Sequence, residues 1–172
     1  MEIERLKAIV LYILNSVPGK CIGKHELFKI LYFASQKRLV RYGYVMIPDF
    51  VALQYGPVPS RLFNYIKEGN NAIAKSISID DYMLSSPESP DMDELSKADI
   101  ECIDESIREN SGLSFYKLLE KSHDEAWQKA WEKRNGSRGG ILDIIEIAKS
   151  ADADESTVEF ISEQLELEAA LA

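Results

Sequence analysis

A chain of 172 residues, 45% apolar and 28% charged, has the composition of an ordinary globular protein, so neither wholesale disorder nor dependence on a metal or disulfide is expected. The formal net charge of −9 hides an asymmetry: residues 1–90 carry 11 Lys and Arg against 8 Asp and Glu, whereas residues 91–172 carry 9 against 21. The acidic half argues against broad nucleic-acid binding, which needs concentrated cations, and suits a partner with a basic face, although solvated helix faces also account for most of these acids.

In chain order, "IERLKAIVLYILN" (residues 3–15) spaces Ile3, Leu6, Ile9, Val10, Ile13 and Leu14 as one stripe of an amphipathic helix, which "SVPG" stops. The apolar run at 8–14 is too short to span a bilayer and has no small-residue cleavage site, and Cys21 and Cys102 have no C-x-x-C partner. A cytoplasmic, reducing setting is the expectation. "GKHELFKILYFASQKRLVRYG" (23–43) is apolar on nearly every side apart from Lys29 in its middle, which marks a central helix wrapped by others, with Lys37, Arg38 and Arg41 favouring its C-terminal dipole and Gly43 ending it.

The segment after Gly43 loses the helical period, and Val45, Ile47, Phe50 and Val51 suit short extended pieces around Pro48 and Asp49. "LQYGPVPSRLF" (53–63) sets two prolines and a glycine within four positions, a stiff corner leading to a helix for which Ser60 is a candidate N-cap and Gly69-Asn70 the stop. Residues 73–84 alternate in part, as a hairpin arm or edge strand would, and 85–94 form a polar loop. Ser96 with Asp99 writes a capping signature for a helix through Ile107, Ser114 caps a helix carrying Phe115, Leu118 and Leu119, and Asp124 caps another carrying Trp127 and Trp131. Beyond the "SRGG" break, two more helices divide near Ser150 to Asp154.

Enzymatic motifs are mostly missing. His25 and His123 have no Cys, Asp or Glu at metal-ligand spacing, no G-x-S-x-G, P-loop or G-x-G-x-x-G occurs, and the plentiful carboxylates form no recognisable pair. No catalytic residue, metal ligand or cofactor is therefore assigned. His123, in "KSHDEAW", reads as a corner histidine bonded to its surroundings. Its alternative is a hydrolase or transferase base working with Asp124 or Glu125. Trp127 and Trp131, four apart on one helix face, read as core before binding surface.

Two stretches resemble the Panacea domain, the family of SocA-like antitoxins and phage-associated proteins. The likeness rests on Lys29-Ile30-Leu31-Tyr32 in the central helix, Phe50-Val51-Ala52 leading to Tyr55-Gly56-Pro57-Val58, and Leu118 through Ser122-His123 to Trp127, and it spans roughly residues 20–135. The resemblance implies a mainly helical domain (1–138) with a small β-hairpin, followed by a C-terminal helical extension (139–172). It implies an antitoxin that neutralises a protein toxin, encoded nearby, by direct contact. Lys29, Tyr32, Gly56, Pro57, Val58 and Ser122 are then scaffold, and Tyr55, Arg61, His123 and Trp127 are the candidate partner contacts. A third reading is a proteolytic adaptor or regulator of a mobile element, with "EAALA" as an accessible tail.

Overall fold

The computed structural model describes residues 1–172. Helix α1 (Ile3–Ser16) ends where Val17 turns extended ahead of Pro18, a residue whose ring disfavours helix in its predecessor. Helix α2 (Lys24–Tyr42) follows a short strand, β1 (Cys21–Gly23), and stops at Gly43, whose φ of 70° closes the last turn as its N–H donates to the Leu39 carbonyl. As its all-round apolar sequence predicts, α2 is the central element: Leu27 to Ser35 are all buried, Lys29 and Tyr32 completely.

The hairpin of β2 (Phe50–Leu53) and β3 (Gly56–Pro59) lies against α2, pairing Phe50 with Pro59 and Leu53 with Gly56. It leads directly into α3 (Ser60–Glu68), which ends at Gly69 as expected. Ser60, however, is the first helical residue and caps nothing. The cap comes from across the hairpin, where the Asp49 carboxylate accepts from the Arg61 N–H at 2.7 Å and the Asp49 carbonyl accepts from the Ser60 N–H. Residues 73–84 contain a five-residue helix before the expected hairpin: α4 (Ala72–Ser76), capped by Asn71, then β4 (Ser78–Asp80) and β5 (Met83–Ser85), which joins β1 in the order β1-β5-β4. Asn71 is a strong cap, and with Ile73, Ser76 and Ile77 at helical spacing it overrides the weak alternation of Ile73, Ile77 and Ile79.

Helix α5 (Lys97–Asn110) carries the predicted capping box of Ser96 and Asp99 and makes the broadest contact with α2. Asp99 is fully buried and accepts from both Arg5 (3.0 Å) and Arg38 (3.1 Å), so one carboxylate ties α1, α2 and α5 together. Burial raises its pKa, but the Ser96 hydroxyl and backbone N–H, with Arg38 and Arg5, more than offset that and hold it below the usual carboxylate range. Helices α6 (Phe115–Ser122) and α7 (Glu125–Glu132) meet at His123-Asp124, each with its predicted cap. The "SRGG" stretch (137–140) closes a tight turn between Asn135 and Arg138 and runs through Gly139 into β6 (Gly140–Ile141), which extends the hairpin sheet to β3-β2-β6. Helices α8 (Ile144–Ser150) and α9 (Glu155–Leu171) place Ile147, Ala148 and Ile161 in the same hydrophobic core, and Phe160 covers Gly43 so closely that no side chain fits there. The fold is mainly helical with two small antiparallel sheets, and no helix is long and apolar enough to cross a membrane.

Candidate functional site

Strand β3 is an edge strand, the position in a sheet where proline is tolerated, because Pro57 and Pro59 have no N–H to offer a further strand. An edge also leaves carbonyls unpaired, and here α2 supplies the missing donor. The Lys29 ammonium donates to the Pro57 carbonyl at 2.9 Å inside the protein. Burial drags the Lys29 pKa down to about 7. Neither Gln54 nor Tyr55 has a positive φ, and Gly56 takes +101° to restore the pairing, the pattern of a tight turn followed by a glycine bulge. A Cβ on Gly56 would stand 2.6 Å from the Ser122 hydroxyl and 2.9 Å from the Lys29 side chain. Gly56 is thus the closest point between hairpin, central helix and the α6–α7 corner.

The corner is fixed by a second set of bonds. Asp124 caps α7 by accepting from the Trp127 N–H (3.0 Å), and its other oxygen accepts from Tyr32 (2.7 Å) and Gln36 (2.9 Å) of α2. Burial raises its pKa despite these donors. The Ser122 hydroxyl donates to the Leu119 carbonyl, and the Trp127 indole N–H donates to the Leu53 carbonyl at 3.0 Å, joining α7 to the hairpin. The His123 ring lies flat on Trp127, 3.7 Å between centroids and 3° from parallel. Its pKa is lowered by burial and by the Lys29 charge, against the pull of Asp124 and of the Gln54 backbone. His25, four residues before Lys29 on α2, is lowered to about 4 by burial and by the charges of Lys29 and His123. Both imidazoles keep Nε2 buried and without a hydrogen-bond partner.

An acid–base reading of His123 requires a carboxylate to orient it or a nucleophile within its reach. Asp124 is directed at Tyr32, Gln36 and its own helix, and Ser122 at Leu119, so neither supplies that geometry. No cluster of three or more His, Cys, Asp or Glu side chains gathers to hold a metal ion.

What faces outward is aromatic. Tyr55 at the hairpin turn is 53% exposed and meets the edge of Phe115 (43% exposed) at 5.6 Å, while Phe115 meets Tyr116 (77% exposed) at 5.5 Å and His25 at 4.3 Å. A groove of about 400 Å³ opens beside them, lined by Tyr82, Leu113, Phe115, Leu118 and His25, with Gly23, Lys24 and Glu26 at the start of α2. Tyr82 and Phe115 line this groove and Tyr55 and Tyr116 flank Phe115, so four exposed aromatics gather on one surface.

Tyr55 is in this surface, and His123 lies beneath it in the α6–α7 corner. Trp127 is 8% exposed and turned inward. Arg61 lies on α3, where its guanidinium donates to the Met1 carbonyl at 2.6 Å, and it does not line the groove. Sequence reasoning missed Phe115 and Tyr116. Phe115 falls on the same stripe as Leu118, yet α6 has only eight residues and sits at the margin, so Leu118 is buried and the first turn projects out. The adjacent pair of aromatics in that first turn was the signal available, since on a short helix that buries only one face two neighbouring residues do not both reach the core.

No curated protein and no solved structure matches the chain. A family model described as "Antitoxin SocA-like, Panacea domain" matches residues 27–128, from the buried start of α2 to the second turn of α7. That range takes in Lys29, Tyr32, the Tyr55-Gly56-Pro57-Val58 hairpin, Ser122 and Trp127, and the chain belongs to the SocA-like antitoxin, Panacea-domain family.

Proposed function

We propose that this protein acts in the cytoplasm as the antitoxin of a toxin–antitoxin pair, neutralising a protein toxin encoded nearby by direct contact and without catalysis. The observation that carries the reading is the exposed set of Tyr55, Phe115, Tyr116 and Tyr82 at and beside a mostly apolar groove, with Tyr55 on the hairpin that Lys29 and Trp127 lock to the helices. Large, rigid aromatic side chains are the usual anchors of protein interfaces, and a stable complex buries on the order of 1,600 Å² around such a centre. Of the contacts expected from sequence, Tyr55 belongs at this centre, His123 and Trp127 support it from below, and Arg61 is left to a neighbouring part of the interface. Residues 139–172 are a helical extension of the family domain, and their acidic outer face adds a charge preference to partner choice.

The test is capture from the native host with the tagged chain, read by mass spectrometry, followed by co-expression with the product of the adjacent reading frame. Recovery of one small protein that arrests growth alone and not with its partner supports the reading. Failure both to rescue growth and to co-purify ends it.

A further inference from the structure

A second groove, about 370 Å³, lies on the other side of Tyr55, between the hairpin tip and the turn after α7, and its lining includes Leu53, Tyr55, Trp131, Arg134 and Arg138. It has no acidic residue in its lining. Four flat groups rise toward it in a stack: His123 on Trp127, Trp127 on Trp131 at 5.3 Å and 14°, and the Arg134 guanidinium on Trp131 at 3.7 Å. Arg134 also donates to the Trp131 carbonyl, so the exposed guanidinium is held at two points. Arg138 is brought back toward it by the Asn135–Arg138 turn, in which Gly136 takes a φ of 61° and the Arg138 N–H donates to the Asn135 carbonyl.

Both arginines are exposed, and neither has a carboxylate within ion-pair distance, although the chain holds 29 acidic residues against 20 basic ones. Among the other arginines, Arg5, Arg38 and Arg41 are paired with acids, Arg61 donates to the Met1 carbonyl, and Arg108 has no ion pair, so what sets Arg134 and Arg138 apart is their shared acid-free groove. A held Arg134 guanidinium, with Arg138 in the same acid-free lining beside a tyrosine, presents cations suited to carboxylates, since guanidinium geometry matches them and the pre-ordering of Arg134 lowers the cost of binding.

We infer that the Tyr55–Arg134–Arg138 groove binds a short acidic segment of the partner protein, its carboxylates on the two arginines and an apolar or aromatic side chain against Tyr55. This rests on the antitoxin reading and adds the chemistry of the partner. A nucleic acid is the less fitting polyanion, because its length carries it beyond the groove onto a surface of net charge −9, whereas a peptide loop ends within the groove.

The experiment measures fluorescence anisotropy of the full chain with three labelled probes: a pentapeptide of four glutamates around one tyrosine, the same peptide with glutamines, and a single-stranded RNA dodecamer. The glutamate peptide binds roughly tenfold tighter than the glutamine peptide and tighter than the RNA, and the doubly substituted Arg134→Glu, Arg138→Glu chain loses roughly tenfold in affinity for it at an unchanged melting temperature. Equal binding of the two peptides, tighter binding of RNA, or indifference to the substitutions overturns the inference. Toxin capture by the same variant separates the two readings. If the wild-type and substituted chains capture the toxin equally, the groove is not its contact and the antitoxin reading stands. If peptide binding behaves as stated and no toxin is captured by either chain, the antitoxin reading fails alone.

Discussion

The Lys29 ammonium and the Pro57 carbonyl meet at 2.9 Å in the interior, so the single polar residue in the middle of the central helix serves the one strand that cannot pair on its outer side. A family fingerprint that looks like two unrelated motifs, one helical and one extended, is a single contact.

That contact has a pH signature. Lys29 has a folded-state pKa of about 7, below its unfolded value, so between these pH values the unfolded chain binds more protons and stability rises with pH. Urea unfolding is expected to gain about 2 kcal/mol from pH 7 to about pH 9, and Lys29→Met to flatten that rise.

Gly56→Ala combines a φ of +101° with a Cβ placed against Ser122 and Lys29. It is expected to cost about 2–3 kcal/mol in urea unfolding, and adding Ser122→Ala recovers only the Ser122 part of the steric share, with the Lys29 contact and the positive φ remaining.

Asp99→Ala leaves Arg5 and Arg38 facing a buried void and removes the reciprocal half of the α5 capping box, in which the Asp99 carboxylate accepts from the Ser96 N–H. The expected loss is about 3 kcal/mol at neutral pH. Because the folded-state pKa of Asp99 is lowered, its contribution is present above the unfolded value and disappears as pH falls through the folded one, so wild type and variant converge in strong acid.

Tyr32→Phe removes one of the two α2 donors to Asp124 in a nearly dry setting. A loss of about 1–2 kcal/mol in thermal or urea unfolding is expected, with the Gln36 bond retained.

The helices were legible where period and caps agreed: α1, α2 and α5 follow their apolar spacing, and Ser96, Ser114 and Asp124 cap as their sequences say. The misreadings arose where a distant group did the work. Asp49 and not Ser60 holds the start of α3, and β6 exists because Ala52 and Val51 lie opposite Gly140 and Ile141, a pairing across almost ninety residues that no local pattern encodes. The site was half visible. The Tyr55 corner stood out through its prolines, but the exposure of Phe115 depends on α6 being short and marginal, and the Arg134–Arg138 groove depends on a turn that reads in sequence only as a flexible break.

The central claim is direct binding of a protein partner through the aromatic face. Its most direct test is size-exclusion chromatography with light scattering on the chain co-expressed with the product of the adjacent reading frame, beside the doubly substituted Phe115→Ser, Tyr116→Ser chain. The wild type is expected to elute as a stoichiometric complex and the variant as free protein of unchanged melting temperature. A wild-type chain that elutes alone, or a variant that still elutes as the complex, would contradict it.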